Sequence, residues 1–355
     1  MTENGYPKIG FGIIGVGMIA DYHAQAIKGL AETHNIHLVG VVGSSQERTQ
    51  HFSQRHHVPF HTTDIGELLA REDIQVVCIA TPSGAHLEPA LKAIGEGKHV
   101  IVEKPLEISI ERADVMIAAA KAAGSKICAI SQARFTPGAQ ALKSAMEGGR
   151  FGRLALCSAY VKWHRTAAYY QGWKGTLTLD GGGAVINQAI HALDLLTWLA
   201  GVPTEVFARK TRCVHLGIEA EDTACASFKF ANGALGVLEA TTAAYPGWER
   251  RIEICGEFGS AAIEDDRIVR WDFLMPQPQD DALRSLSVGS SASGAGAPDN
   301  INFLGHQLHI AEMVSAIRTG SPLTIEDEEA RNTVALIRAI YDSADSNSPV
   351  SVNVK

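Results

Sequence analysis

The sequence predicts two domains: an α/β domain with a parallel sheet, then an α+β domain with a large, mostly antiparallel open sheet. Over residues 8–130, short aliphatic runs such as IGFGII and VVCIA alternate with helical stretches, and this alternation is typical of βαβ units. After residue 132, the apolar runs are longer and richer in β-branched residues, and turn signals such as ANGA lie between them. We place the domains at residues 1–131 and 132–355.

Composition narrows the classes of function. With 355 residues, the chain is long enough for two domains with sizeable cores. Its hydrophobic fraction of 46% and charged fraction of 20% are those of a soluble globular protein. A net charge of −8 without a basic cluster argues against nucleic-acid partners and against anionic membrane surfaces.

Two further observations predict a cytoplasmic protein. The apolar stretch at residues 9–20 is short and interrupted by glycines, so we expect neither a signal peptide nor a membrane span. The six cysteines lack any Cys-x-x-Cys spacing, which is typical of reduced thiols rather than of disulfides or a zinc site.

A glycine-rich turn follows the first predicted strand. Gly15-Val-Gly17-Met18-Ile19-Ala20 is a G-x-G-x-x-A motif between a strand and a helix. In the Rossmann fold, the first glycine allows a tight turn, the second lets a pyrophosphate approach the backbone, and the small third residue lets helix and strand pack closely. The helix N-terminus adds N–H donors and a positive dipole end. The motif predicts an N-terminal Rossmann NAD(P)-binding domain with these residues at the cofactor.

The end of the second strand bears on the choice between NAD and NADP. An Asp or Glu there would accept hydrogen bonds from the adenosine ribose. Here Ser44 and Ser45 stand at that position, and Arg48 follows one helical turn later. Small hydroxyls and a guanidinium can hold a 2′-phosphate. The segment therefore slightly favours NADP, although an exposed Arg48 on a helix needs no ligand.

A second glycine-rich segment precedes a predicted helix. In LDGGGAVINQAIHALDLL, Asn187, His191 and Asp194 are spaced four and then three apart and share one helical face. Either this polar stripe lines a ligand site, or His191 is a buried histidine bonded to Asp194. The three glycines favour the ligand site, because they would let a ligand approach the backbone closely.

Further motifs occur in order along the chain: TPSGAH at residues 81–86, EKP at residues 103–105, QARF, YYQGWKGT and the triple-glycine segment. With the G-x-G-x-x-A turn, they resemble the glucose–fructose oxidoreductase, inositol dehydrogenase and MocA-like (Gfo/Idh/MocA) oxidoreductase family over essentially the whole chain. The resemblance implies NAD(P)-dependent transfer of a hydride between a secondary hydroxyl of a sugar, inositol or nucleotide sugar and the nicotinamide. The WKGT…LDGGG…NQAIH variant is similar to members that act on nucleotide-linked amino-sugar acids.

The resemblance also implies roles for single residues. Lys104, Asn187 and His191 match the family's catalytic positions. His191 would be the acid/base, Lys104 its partner, and Asn187 an anchor for a substrate hydroxyl, while Asp194 would orient the imidazole. The family's commonest residue at position 187 is Asp, and an amide cannot take up a proton, so the acid/base work falls on Lys104 and His191. A cis Lys104–Pro105 peptide is implied as well.

Supporting contacts follow from the same resemblance. Besides Lys104, the residues expected at the cofactor are Thr81, Ser83, His86, Glu103, Trp173 and Lys174. With Asn187 and His191, the residues expected to line a sugar pocket are Arg134, Trp163, His164, Tyr169 and Tyr170.

We expect a small-molecule sugar or polyol substrate, no metal site, and a flexible loop at residues 276–300. We also expect a homodimer or homotetramer, because the exposed face of the second sheet needs to be covered. Two alternatives stay open. One is a non-catalytic NAD(P)-binding regulator of the same fold, and the other is a metal-dependent hydrolase that uses His56, His57 and His61.

Overall fold

The computed structural model describes residues 6–285, 295–296 and 303–355. Strands and helices alternate up to residue 132: β1 (Ile9–Ile14), α1 (Met18–Leu30), β2 (Ile36–Val42), α2 (Gln46–His56), β3 (Phe60–Thr62), α3 (Ile65–Leu69), β4 (Val76–Ile79), α4 (Leu87–Gly95), β5 (His99–Val102), α5 (Ile110–Ala123) and β6 (Ile127–Ala129).

The later elements are α6 (Pro137–Glu147), β7 (Leu154–Lys162), α7 (Ile190–Ala200), β8 (Glu205–Thr211), β9 (Thr223–Lys229), β10 (Leu235–Thr241), β11 (Arg251–Gly256), β12 (Gly259–Glu264), β13 (Arg267–Phe273), α8 (Asp280–Ser285), α9 (Leu304–Thr319), α10 (Asp327–Ser346) and β14 (Val350–Ser351). A π-helical turn, Ala184–Ala189, runs directly into α7.

The chain divides into two compact units. The first comprises Met1–Gln132 and Asn302–Arg331, and the second comprises Ala133–Ile301 and Asn332–Lys355. The first stretch of the first unit ends at Gln132, and a later stretch of chain also belongs to that unit.

The first unit contains a six-stranded sheet in the order β3-β2-β1-β4-β5-β6, in which every neighbouring pair is parallel. This is the strand order of dinucleotide-binding Rossmann folds. All of β1 is buried, as expected for a parallel sheet with both faces covered. The carboxyl ends of β1, β2, β4 and β5 lead into the segments at Gly15, Ser44, Thr81 and Glu103, so these segments lie along one edge of the sheet.

The second unit contains an eight-stranded sheet in the order β13-β12-β11-β7-β10-β9-β8-β14. Strands β7 and β10 pair in parallel, and the other neighbours are antiparallel. Residues of β8 and β9 alternate between buried and exposed, which indicates one packed and one open face. The two sheets confirm the predicted fold class.

Helix α9 explains why residues 302–331 belong to the first unit. Its buried residues Ile310, Met313 and Val314 lie in one hydrophobic cluster with Ile13 of β1 and Ile27 of α1. Burial of this apolar face stabilises the Rossmann core, although the helix follows the second sheet in sequence. The prediction had assigned all residues after 131 to the second domain.

Residues 276–300 were predicted as a flexible loop, but Asp280–Ser285 form helix α8. Asp280 is 2% exposed, and its carboxylate accepts hydrogen bonds from Arg150 Nη1 at 2.7 Å and Trp271 Nε1 at 2.8 Å. These bonds anchor α8 to the second unit. Residues 286–294 and 297–300 of the predicted loop lie outside the described residues.

All six cysteines are free thiols. Among the described helices, none combines the length and apolar character needed to cross a membrane.

Candidate active site

The glycine turn after β1 has the geometry that an anion requires. Gly15 has a φ of +113°, and a Cβ there would lie 2.4 Å from the carbonyl oxygen of Ala80, so only glycine fits. A Cβ at Gly17 would meet no atom within 4 Å, and no described side chain caps the first turn of α1. The first N–H groups of α1 are therefore available, and with the helix dipole they suit a pyrophosphate.

A cavity of about 810 Å³ lies beside this turn within the first unit. Gly17 and Met18 line it at the start of α1, and Glu47, Arg48 and His51 line it from α2. The cavity therefore adjoins the predicted pyrophosphate turn and the residues that bear on the choice between NAD and NADP.

The two serines after β2 differ in their contacts. The Ser45 hydroxyl accepts the backbone N–H of Arg48 at 3.5 Å and thereby caps α2. Ser44 is exposed, and so is Arg48, whose guanidinium has no ion-pair partner among the residues that the structure describes. Ser44 and Arg48 are thus free to meet a ligand, whereas the Ser45 hydroxyl stabilises the helix.

His86 connects two segments at the edge of the parallel sheet. It is 1% exposed, and its Nδ1 lies 2.9 Å from the carbonyl oxygen of Pro105 and its Nε2 3.1 Å from that of Thr81. Burial lowers the pKa of His86. Its ring thus connects the segment after β4 to the segment after β5.

The Glu103-Lys104-Pro105 segment follows β5, and the Lys104–Pro105 peptide is cis, as the resemblance implied. Glu103 is 5% exposed, and its Oε1 lies 3.0 Å from His23 Nε2 and 2.9 Å from His306 Nε2. The Glu103 carboxylate was expected at the cofactor. Its Oε1 lies between two histidines of the first unit.

The triple glycine of the second unit makes room for protein groups. A Cβ at Gly183 would lie 1.8 Å from the carbonyl oxygen of Glu221, and one at Gly182 would lie 2.2 Å from the Tyr341 hydroxyl. The Glu221 carboxylate accepts the N–H groups of Gly183 at 3.1 Å and Val185 at 2.9 Å. The expectation that these glycines let a ligand approach is not met at Gly182 and Gly183, because protein atoms fill that space.

The π-helical turn positions Asn187, which is 8% exposed. Its Nδ2 donates to Asp180 Oδ1 at 2.6 Å, and the Tyr169 hydroxyl donates to its Oδ1 at 3.5 Å. Asp180 is 1% exposed and also accepts the Gly175 N–H at 2.8 Å. Sequence reasoning missed Asp180, although it directly precedes the three glycines. Its carboxylate fixes which way the Asn187 amide points.

Asp194 is held by an arginine. Its two oxygens accept from Arg134 Nε at 2.9 Å and Nη2 at 2.8 Å, and Arg134 is 1% exposed. Such a bidentate pair is strong and directional. Arg134, which was expected to line a sugar pocket, therefore connects the start of α6 to α7. His191, one turn before Asp194, is 7% exposed, and its ring centroid lies 6.4 Å from that of Trp163.

Two cations lie among aromatic rings in the same unit. The Arg165 guanidinium carbon is 5.0 Å from the Trp163 ring centroid and 5.3 Å from that of Tyr169. The Lys174 Nζ is 4.3 Å from the Trp173 ring centroid and 4.9 Å from that of Tyr169. Burial lowers the pKa of Lys174, while Asp180 opposes that change. The prediction named the aromatic residues and Lys174 but neither Arg165 nor Asp180.

His164 and Tyr170 complete this region. The His164 ring packs edge-on against Tyr245 at 5.3 Å. The Tyr170 hydroxyl lies 2.7 Å from Thr242 Oγ1. The second unit therefore contains the residues predicted for a sugar pocket together with Trp173 and Lys174, which were predicted at the cofactor. The other residues predicted at the cofactor lie in the first unit.

The hydrolase alternative requires a metal site at His56, His57 and His61. His56 hydrogen-bonds to Asp21 at 2.7 Å, and no metal-binding group forms from His56, His57 and His61 within the described ranges. Over those ranges, the side chains of His23, Glu103 and His306 are the ones close enough together to hold an ion.

Comparison with protein families covers both units. Residues 9–130 match a family model described as "Oxidoreductase family, NAD-binding Rossmann fold". Residues 139–262 match one described as "GFO/IDH/MocA C-terminal domain". A curated relative, the myo-inositol 2-dehydrogenase of Thermotoga maritima, is 27% identical over 72% of this chain and 75% of its own. The scyllo-inositol 2-dehydrogenase (NADP(+)) IolU of Bacillus subtilis is 25% identical over 79% of this chain and 83% of its own.

Two solved structures are similar to this chain in overall fold. The WlbA dehydrogenase from Chromobacterium violaceum, in complex with NADH and UDP-GlcNAcA, is 30% identical with a TM-score of 0.89, covering 99% of this chain and 98% of that chain. The WlbA dehydrogenase from Bordetella pertussis, in complex with the same two molecules, is 30% identical with a TM-score of 0.88, covering 99% of each chain.

Replacing Gly183 with alanine tests the packing role of the triple glycine. We expect Gly183→Ala to lower the free energy of unfolding by more than about 3 kcal/mol, because its Cβ would overlap the Glu221 carbonyl oxygen. Gly217→Ala is the control, since a Cβ there meets nothing within 4 Å. Urea denaturation of both variants measures the effect. Equal stability of the two would contradict the packing role.

Proposed function

Because the chain belongs to the Gfo/Idh/MocA oxidoreductase family, we propose that it is an NAD(P)-dependent dehydrogenase acting on a secondary hydroxyl of a sugar, an inositol or a nucleotide sugar. The observation that carries this proposal is the glycine turn after β1, in which Gly15 has no room for a side chain and Gly17 faces open space. By their motifs, Lys104 and His191 would take the family's catalytic positions. A regulator of the same fold could dispense with that pair, so catalysis is favoured.

The first unit would supply most of the cofactor residues. The N–H groups at the start of α1 would hold the pyrophosphate, and the open space over Gly17 would admit it. When bound, the nicotinamide supplies the hydride acceptor. Thr81 would border it, since His86 holds the backbone of this segment in place.

His191 and Lys104 would carry the proton transfer. As a hydride leaves the substrate carbon, the hydroxyl proton must pass to a base. An imidazole is suited to this task, because its unperturbed pKa lies close to neutrality. The Lys104 ammonium would stabilise the developing negative charge on the hydroxyl oxygen.

Asn187 would bind a substrate hydroxyl without taking its proton. The Asp180 carboxylate accepts from Asn187 Nδ2, and the Asn187 Oδ1, which accepts from the Tyr169 hydroxyl at 3.5 Å, has two acceptor lone pairs. A substrate O–H can donate to that oxygen. Asp180 would thus act through Asn187 as a positioning residue. Arg134 would fix Asp194, which would in turn orient the His191 imidazole.

The charges around the aromatic residues favour an acidic substrate. Arg165 and Lys174 place two cations beside Trp163, Tyr169 and Trp173. Cations of this kind bind carboxylates and phosphates, and the aromatic faces suit a sugar ring. We therefore propose a nucleotide-linked sugar acid as the first substrate class to test, in agreement with the UDP-GlcNAcA bound to the WlbA structures.

The proton-transfer roles have a direct test. We expect Lys104→Ala and His191→Ala each to lower kcat by about a hundredfold or more, with little change in the Kd of the cofactor. Asn187→Ala should chiefly raise KM, because it removes a hydroxyl anchor and no proton acceptor. Initial rates are followed by absorbance of the reduced cofactor over a panel of polyols, aldoses and nucleotide sugars.

Lys92→Ala, on an exposed position of α4, serves as the matched control. The melting temperature is measured on every sample. If His191→Ala lowers the melting temperature and retains normal turnover per folded molecule, His191 is a structural histidine and its catalytic role is refuted.

Arg48 and Ser44 would let the chain accept NADP at least as well as NAD. The 2′-phosphate would meet the exposed guanidinium at the cavity beside α1. We expect Arg48→Ala to raise the KM for NADP about tenfold and to leave the KM for NAD within about twofold, since a charge-assisted contact contributes on the order of 1.5–3 kcal/mol. Parallel titrations with the two cofactors measure the difference. Equal changes for both would contradict a 2′-phosphate contact.

We also propose a cytoplasmic homodimer or homotetramer. The open face of the second sheet exposes Leu156 by 41%, Phe207 by 37% and Leu235 by 57%, and apolar surface of this kind favours association. Light scattering at micromolar concentration should give a multiple of 37.9 kDa. Leu235→Glu should shift the mass towards that of one chain, whereas a monomeric wild-type protein would refute the proposal.

A further inference from the structure

A buried carboxylate and two buried histidines form a cluster in the first unit that the proposed mechanism does not use. Glu103 follows β5, His23 lies on α1 and His306 lies on α9. His23 and His306 are both 0% exposed, and Glu103 is 5% exposed. The two imidazole rings meet edge to face, with centroids 5.0 Å apart. These three side chains are called the Glu103 cluster below.

The unpartnered atoms of the Glu103 cluster indicate where its protons lie. The Nδ1 atoms of His23 and His306 are buried and have no hydrogen-bond partner among the described residues. If each proton were on Nδ1, two buried N–H donors would be left unsatisfied, at about 1–3 kcal/mol each. With the protons on Nε2, both rings donate to Glu103 Oε1, and only two acceptor lone pairs are left without a partner.

The same argument disfavours a metal ion in the Glu103 cluster. An ion bound by the two Nε2 atoms would require a proton on each Nδ1, and a metal-bound histidine almost always donates that N–H to a partner. No described residue accepts from either Nδ1. The cluster is therefore better explained as one carboxylate oxygen that accepts two N–H bonds.

The second oxygen of Glu103 faces the catalytic segment. The backbone N–H of Lys104 donates to Glu103 Oε2 at 3.2 Å. We propose that Glu103, held by His23 and His306, is a positioning residue that fixes the main chain at Lys104 for catalysis. This inference rests on the proposed function, because it assigns the cluster to the lysine that the function uses.

The two histidines keep the Glu103 carboxylate ionised, so that it can accept the Lys104 N–H. Burial alone would raise the pKa of Glu103, but hydrogen bonds from His23 and His306 bring the pKa well below its usual value. If one donor is lost, the buried carboxylate becomes harder to keep ionised. A protonated Glu103 would have less capacity to accept the Lys104 N–H and would release the main chain there.

Paired substitutions at His306 separate this role from simple packing. His306→Gln keeps an N–H near the position of Nε2, whereas His306→Leu fills the space and removes the donor. We expect His306→Leu to lower kcat about tenfold or more, with the Kd of the cofactor within about twofold of wild type, and His306→Gln to retain kcat within about threefold. The rate of acylation of Lys104, measured by mass spectrometry without substrate, should change about threefold or more in His306→Leu and little in His306→Gln.

Glu107→Gln is the matched control, because Glu107 is a buried carboxylate of the same segment that accepts from Leu87, Ile108 and Arg112 and not from Lys104. We expect Glu107→Gln to change the stability of the protein and to leave kcat and the rate of Lys104 acylation unchanged. Glu103→Gln should alter both kcat and that rate. Nitrogen NMR of histidine-labelled protein should show the Nε2–H tautomer at His23 and His306.

Several results would overturn the proposal: a stoichiometric metal ion lost in His306→Leu, unchanged Lys104 acylation in Glu103→Gln, or the same changes in Glu107→Gln. The acylation readout needs no turnover. If the wild-type protein oxidises nothing in the substrate panel but Lys104 acylation responds as expected, the positioning role stands and the proposed function fails.

Discussion

A carboxylate that is removed from water needs hydrogen-bond donors. The hydrogen bonds that meet this need hold the candidate catalytic segments of both units in place. In the first unit, Glu103 connects two histidines to the backbone of Lys104. In the second unit, Glu221 binds the N–H groups at the start of the π-helical turn, and Asp180 orients the Asn187 amide. Asp194 holds α7 through Arg134. Lys104 and Asn187, which are proposed to meet substrate, thus donate hydrogen bonds to buried acids.

The fold could be predicted largely from local pattern. The alternation of short apolar runs with helices, and the glycine turn at residues 15–20, are enough to predict a parallel sheet with a dinucleotide site. The return of α9 to the first unit could not be predicted, because the apolar face that carries Ile310 and Met313 would suit either core. The π-helical turn at residues 184–189 was likewise hidden, since its sequence also fits a regular α-helix.

Sequence motifs predicted the site residues that lie within them. The prediction missed contacts that join distant parts of the chain. The glycine turn and the cis peptide at residues 104–105 agree with the resemblance. The partners of Glu103 lie 80 and 203 residues away in sequence, so no local spacing indicates them. Gly182 and Gly183 differ from the prediction for another reason. A backbone can need space for a neighbouring protein group as well as for a ligand, and sequence alone does not distinguish the two.

The return of α9 has a consequence for synthesis of the protein. The Rossmann core is encoded by two separate stretches of chain, Met1–Gln132 and Asn302–Arg331, so the ribosome translates most of the second unit before the first can be completed. At roughly 5–20 residues per second, that interval is on the order of ten to thirty seconds. Throughout it, the apolar surface that α9 later covers stays exposed to water and to other nascent chains.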